Sequence, residues 1–411
     1  VQRPTALVFP DNLAALATCR ELGRSGVPVV VLSARPGPAS RSRFARYIPC
    51  PDLYEEGQAW AEAIAALAAS LPEPPVLFPT EDAALLLAEA HRPLLSTKAR
   101  FCAAGPAVVD GVLDKARLYR AAQAVGLAVP AFRELAVGQA AGNLSQLEGS
   151  WIVKPPCRYV IRDGRVRTFL SLTGGSKALA ENLTAAAARV GQAGFPVLLQ
   201  EQIPGPFENL VSVGMVLGPD GELRAAFTAR KRWEYPEPFG DGLMVEVIDD
   251  PGITEPAVRL LRSLGYWGIC DVEFKLDPRD GRHKLLDANP RVWLWLGLGA
   301  RAGQAIALSG YDLAVGGNSR LGRPGHRSVY PRWVSPRGAA AFLANTYEPG
   351  RHGASLPVRL TLGALRTMLG NLFAFRDPLY LRPSAWKEIA GVLARRTRIA
   401  ATAPAGSRLV D

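Results

Sequence analysis

The sequence predicts an α/β domain followed by a mixed α+β region, and three observations carry that reading. Apolar strands alternate with helix-spaced segments over residues 1–113, hairpin patterns replace them from Asp114, and 411 residues exceed one core. Single cores stop growing near ~250–300 residues, so two or three domains are expected.

The alternation begins with ALVF (Ala6 to Phe9), a short apolar run closed by the turn PDN. Leu13 to Leu22 carries apolar and small residues at helical spacing, and Gly23 and Gly26 stop it. GVPVVVL (Gly26 to Leu32) is apolar without period-2 alternation, as a parallel strand covered on both faces requires. An Ala-rich helix from Gln58 to Ser70 and a strand at Val76 to Pro79 complete a doubly wound βαβ unit. No GxGxxG follows the first strand, which argues against a nicotinamide or flavin site.

From Asp114 the pattern changes. DKARLYRAAQAVGLAVP predicts one amphipathic helix, and WIVKP (Trp151 to Pro155) a strand ending in lysine. RYVIRDGRVRTFLSL predicts a β-hairpin turning at Asp163-Gly164, followed by a helix over Ala178 to Val190. VLLQEQI (Val197 to Ile203) is a strand, and two antiparallel strands are predicted around Gly218 to Gly221. GICDVEFKLD and HKLLDANPR form a further pair around Pro278 to Gly281.

Composition narrows the function classes. The chain is 48% hydrophobic and 21% charged, which suits buried cores rather than disorder. No run reaches the ~18 apolar residues of a spanning helix, and the amino terminus turns polar too early for a secretory h-region, so a cytoplasmic protein is expected. Five scattered cysteines without a CxxC and four dispersed histidines argue against a disulfide framework or zinc site. The net charge of +11 sits entirely from Arg320 onward, where 15 Lys and Arg face 4 Asp and Glu. The first 319 residues carry 33 of each sign, so the body offers no basic surface for nucleic acid. Only 8 of the 48 basic residues are lysine, which makes each lysine more informative.

The most informative constellation is acidic. Asp271 and Glu273 lie two apart on one strand, and Asp287 and Asn289 two apart on its partner, so each pair shares a face. Oxygen donors converging across one hairpin suit Mg²⁺, which takes one or two carboxylates and completes its shell with water and phosphate. The same strands also suit a surface hairpin of solvated charges. The apolar run VWLWLGLGA that follows DANPR favours the first reading, because polar groups at a core edge are costly when unpartnered.

LDK at Leu113 to Lys115, IVKP at Ile152 to Pro155, QEQIPG at Gln200 to Gly205, VEF at Val272 to Phe274 and DANPR at Asp287 to Arg291 follow one another in order. Together they resemble the motifs of the ATP-grasp superfamily, in particular carboxylate–amine ligases related to the ATP-binding domains of carbamoyl-phosphate synthase. The stretch RKRWEYPEPFG (Arg230 to Gly240) is similar to one common there. The resemblance implies an amino-terminal βαβ domain over 1–113, a lid over 114–196, a larger ATP- and metal-binding α+β subdomain over 197–318, and a basic extension over 319–411. It implies ATP with two Mg²⁺ ions, Mn²⁺ being an alternative.

Residue by residue, the resemblance implies that Lys115 and Lys154 hold the nucleotide phosphates. Glu201 and Ile203 match the hinge that reads adenine, and Glu208 the acid that takes the ribose hydroxyls. Glu273, Asp287 and Asn289 match the metal ligands, Asp287 standing where the family usually has Glu. Arg291, with Lys154, is the implied catalytic group, clamping the phosphate in transfer, and Arg230 and Lys231 are implied substrate contacts. TGGSK (Thr173 to Lys177) is the nearest substitute for the family's glycine-rich flap. The implied reaction is ADP-forming joining of a carboxylate to an amine through an acyl phosphate; other ATP-grasp chemistry, making a carbamoyl or carboxy phosphate or a thioester, and a non-catalytic nucleotide-binding or membrane-surface protein are the alternatives.

In the extension, Leu362, Leu365, Met368, Leu369, Leu372, Phe373 and Phe375 share one side of a helical projection over 359–375. Such a stripe suits a helix docked on the body, or an interfacial helix beside anionic lipid at the inner membrane face. Small-molecule substrates, no nucleic acid, and a homodimer as an option complete the expectation.

Overall fold

The computed structural model describes residues 3–135, 149–162, 165–168, 172–175, 196–235, 241–317 and 332–334. Two compact units divide the chain, Val1–Arg230 with Val247–Pro331 and Lys231–Glu246 with Arg332–Asp411. The predicted helix over 178–190, the turn at 163–164 and the apolar helix over 359–375 lie outside the described residues.

The first unit opens with β1 (Ala6–Phe9), α1 (Leu13–Arg24), β2 (Val29–Ser33), β3 (Arg46–Pro49), α2 (Gly57–Ser70), β4 (Val76–Pro79), α3 (Asp82–Ala90), α4 (Arg92–Leu95), β5 (Arg100–Phe101) and α5 (Pro106–Leu113). The Asn12 side chain caps α1 by accepting from the Ala15 N–H. The sheet order is β3-β2-β1-β4-β5 and every pairing is parallel. β1 and β4 are buried along their length, which explains their unbroken apolar runs. Trp60 and Ile64 of α2 fill the core over this sheet, with Phe9 meeting Trp60 edge-on at 5.2 Å.

Next come α6 (Lys115–Ala124), β6 (Phe132–Leu135), β7 (Ser150–Lys154), the hairpin β8 (Tyr159–Arg162) and β9 (Arg165–Thr168), β10 (Leu172–Gly175) and β11 (Val197–Glu201). Asp114 caps α6 through the Arg117 N–H at 3.0 Å, so Lys115 becomes its first residue. An antiparallel sheet has the order β10-β7-β11-β6, with β6, β7 and β10 in the segment expected to be the lid. Thr173 to Gly175 therefore belong to a strand paired with β7, not to a loop before a helix; Ser176 and Lys177 lie outside the described residues.

The larger sheet contains β12 (Leu210–Leu217), β13 (Leu223–Tyr235), β14 (Asp241–Ile248), β15 (Gly268–Asp277) and β16 (Arg282–Asn289), with α7 (Pro251–Ser263), α8 (Gly297–Arg301) and α9 (Ile306–Ala314) beside them in sequence. Within the first unit, β16, β15, β12 and β13 up to Arg230 lie side by side, all antiparallel. One face packs against α6 and α7: Val213, Met215, Val272, Phe274 and Leu285 meet Leu118, Tyr119, Ala257 and Leu261 in one core. In the second unit, Met244 to Glu246 pair antiparallel with β17 (Arg332–Val334).

Candidate active site

Period-2 alternation on β15 and β16 puts the charged residues on the face away from that core. Asp271 pairs with Asn289 and Glu273 with Asp287 across the two strands. The Asn289 amide donates to Glu273 Oε1 at 3.3 Å and to Asp271 Oδ2 at 3.5 Å. A register shift just beyond Glu273 leaves Leu286 without a strand partner, a β-bulge beside the proposed ligands. Its carbonyl is taken up by the buried Tyr119 hydroxyl at 2.9 Å, which also lies 2.8 Å from Gln200 Oε1. On the same face, Gly214 leaves room for Trp293: a Cβ there would collide with the indole.

Lys115 reaches Asp287 at 2.9 Å. Burial works most strongly against its charge, but Asp287 and Asp82 outweigh that and hold its pKa above the usual lysine value. Lys154, at the end of β7, faces the same carboxylates. Burial and the neighbouring Lys115 push its pKa down to about 7, against the opposing pull of Asp287 and Glu273. The two amines, from the end of β7 and from the first residue of α6, thus both feel the Asp287 carboxylate.

Arg291 leaves β16 two residues after Asn289 and donates to its Oδ1 at 3.1 Å. Its Nε donates to Asp82 at 2.8 Å, at the start of α3 in the amino-terminal sheet layer. Ile203 is buried just after β11, and the Glu201 carboxylate pairs with Arg279 at 2.6 Å while accepting from the Ala131 N–H at 3.1 Å. Arg279 also clamps Asp277, whose carboxyl it holds, with Lys284, well below the usual range. The Glu201 N–H donates in turn to the Ala131 carbonyl at 2.7 Å. Glu208 stands in a 3₁₀ turn, half-buried, with its carboxylate taking no hydrogen bond or ion pair among the described residues.

The geometry does not gather every expected residue. Arg230 pairs with Val211, which pairs with Phe274, so alternation turns it to the α6 and α7 face, opposite Glu273. Lys231 begins the second unit. Sequence reasoning missed Asp82, Glu81 and Tyr119; the signal for the first two was an acidic pair one residue beyond a parallel strand.

The donor set fits a hard cation. Among the described residues no group of three or more His, Cys, Asp and Glu is close enough to hold a metal. The proposed set instead supplies two carboxylates and one amide oxygen, Glu273, Asp287 and Asn289, which is the share of a Mg²⁺ shell that protein commonly contributes when phosphate supplies the rest. Also among the described residues, no helix is long and apolar enough to cross a membrane.

No family model matches the chain. Over 130 residues it is 27% identical to the D-aspartate ligase of Enterococcus faecium, an alignment covering 31% of this chain and 29% of that protein. It therefore spans under a third of that curated relative's length. An L-amino acid ligase from Bacillus licheniformis superposes with a TM-score of 0.52 at 15% identity, covering 71% of this chain and 68% of that one. N5-carboxyaminoimidazole ribonucleotide synthetase, solved as an ADP complex, superposes with a TM-score of 0.59 at 17% identity, covering 79% and 80%. The fold shared with these structures is the ATP-grasp fold, which the five motifs also resemble.

Proposed function

We propose that the chain is an ATP-dependent, ADP-forming ligase that joins a carboxylate to an amine through an acyl phosphate. The observation that carries this reading is the convergence of Lys115, Lys154 and Arg291 on the face that bears Glu273, Asp287 and Asn289. Two lysines and an arginine over two carboxylates and an amide suit a triphosphate bridged by divalent metal.

Glu273, Asp287 and Asn289 would hold Mg²⁺, as two ions or with Mn²⁺ substituting, and the metal when bound neutralises phosphate charge. Lys115 and Lys154 act as point charges on the phosphates, each on a flexible stem that follows the group in transfer. Arg291 presents a planar fork to the phosphoryl group as it passes to the carboxylate. The Glu201 and Ile203 backbone meets adenine and Glu208 the ribose hydroxyls. Phosphorylation turns a poor electrophile into one with a leaving group, and the lid layer excludes water from it. No side-chain nucleophile is needed, because positioning and electrostatics suffice.

The testing experiment is an ATP-dependent coupling assay over free amino acids, short peptides and sugar-linked carboxylates, read by product mass and ADP release. A product of condensed mass with one ADP per bond supports the reading. ADP release without a condensed product points to carbamoyl-phosphate or thioester chemistry instead.

A further inference from the structure

In the sheet of order β3-β2-β1-β4-β5 the chain runs outward from β1 and then returns to β4 on its other side, so the strand order reverses between β1 and β4. Open α/β sheets bind ligands outside the carboxyl ends of strands at such a reversal. Here Glu81 and Asp82 follow the carboxyl end of β4 after the single residue Thr80.

Side chains from four separate segments meet there. Tyr54 donates its hydroxyl to Glu81 Oε1 at 2.6 Å, leaving Oε2 without a hydrogen bond among the described residues. Asp82 holds Arg291 at 2.8 Å, and Arg291 touches Asn289 at 3.1 Å. The hairpin β8–β9 docks on the amino-terminal core, burying Val166, whose N–H donates to the Tyr54 carbonyl at 3.1 Å. That docking brings up Arg158, exposed and lying over the Tyr159 ring at 5.4 Å, with no ion pair among the described residues. Glu81, Tyr54 and Tyr159 all feel the Arg158 charge. Contacts run outward from the metal-ligand face through Asn289, Arg291 and Asp82, next to Glu81 in sequence, and Arg158 lies on the docked hairpin.

We propose that this wall is the acceptor subsite for a free amino acid, with Glu81 receiving the ammonium and Arg158 the carboxylate. The assignment rests on the ligase reading above and names its amine. Glu81, with Oε2 free, and the exposed Arg158 bear opposite charges on one wall, the complement of a zwitterion. The ammonium passes one proton to Glu81 Oε2, and the neutral amine attacks the acyl carbon. The C–N bond forms, the C–O bond to phosphate breaks, and the second nitrogen proton leaves on the phosphate. Burial, chiefly, and Asp82 raise the Glu81 carboxyl above its usual range, against the Tyr54 hydrogen bond and the Arg291 and Arg158 charges, so it accepts a proton more readily than an exposed carboxylate.

The test is calorimetric titration of the full chain with the common L-amino acids, D-alanine and D-aspartate, with and without saturating Mg-ADP. Mg-ADP affinity is measured separately. At least one amino acid should bind, and its amino alcohol and its deaminated acid should each bind at least about tenfold more weakly, the scale of a lost charged hydrogen bond. Glu81→Gln and Arg158→Ala should each weaken the amino acid by about tenfold with Mg-ADP affinity unchanged. Arg158→Ala should also erase the difference between the amino acid and its amino alcohol, which a merely structural role would not do. Arg158 is exposed, so this variant keeps the test open if Glu81→Gln fails to fold. Mg-ADP binding without any amino-acid binding, or wild-type affinities in both variants, overturns the proposal and leaves the ligase reading standing. Loss of Mg-ADP binding in the wild type overturns the ligase reading itself, and the amino-acid titrations without nucleotide still decide the subsite.

Discussion

The Lys115 amine lies 2.9 Å from Asp287 Oδ1, joining the first turn of α6 to the bulged strand β16. The pair is partly solvated, with 16% and 29% of its side chains exposed, so its own contribution to stability is modest. A double-mutant cycle of Lys115→Met and Asp287→Asn, followed by urea denaturation, should give a coupling of about 1 kcal/mol. The same Lys115→Met change should weaken Mg-ADP far more than it weakens the fold.

Lys154 should take up a proton when nucleotide binds. Its pKa near 7 in the free protein leaves it mostly neutral at pH 8, and phosphate drawn against it favours the charged form. Calorimetry of Mg-ADP binding in buffers of different ionisation enthalpy should report uptake approaching ~1 proton at pH 8 and ~0.5 at pH 7. Lys154→Met should abolish that component. Because folding lowers this lysine's pKa, its charge costs the free protein stability as the pH falls from about 10 toward 7.

Glu21 on α1 is buried, accepts the Leu308 N–H at 3.0 Å and leaves Oε2 without a partner. Burial pushes its pKa up to about 7, so the folded protein favours the neutral acid. The sign follows: stability is intact below about pH 4.5 and is lost as the pH rises through 7, by up to about 3 kcal/mol. Glu21→Gln should melt above the wild type at pH 8, and the two should converge at pH 5.

Tyr119→Phe leaves the Leu286 carbonyl and Gln200 without their shared hydroxyl. Denaturation should show a loss of about 1–2 kcal/mol, the cost of a buried acceptor left unpartnered. Because Leu286 adjoins Asp287, the Mg²⁺ dependence of nucleotide binding should weaken as well.

Much of this architecture was legible in the residues. Ala6–Phe9 and Val76–Pro79 appear as strands with the bounds their apolar runs implied, and Ser150–Lys154 ends on its lysine as expected. Strand parity alone sets Glu273 with Asp271, and Asn289 with Asp287, each pair on one face. The resemblance implies a substrate contact at Arg230, yet its face is set by register against Val211, which only pairing reveals. Asp82 meets Arg291 across 209 residues of sequence, and Tyr119 meets Leu286 across 167. Such contacts have no local period, so they emerge only when α3 and α6 dock. The short β5 and the four-residue α4 were missed because neither spans enough residues to show a periodicity.

The central claim is that Glu273 and Asn289 present oxygens to a metal that grips the nucleotide phosphates. The most direct test is calorimetric binding of ATP to wild type, Glu273→Gln and Asn289→Ala, each with Mg²⁺ and with chelator. The account predicts tight binding only for the wild type with Mg²⁺, both variants falling to the chelator baseline. Equal affinity in all three proteins, or wild-type binding indifferent to chelator, contradicts it.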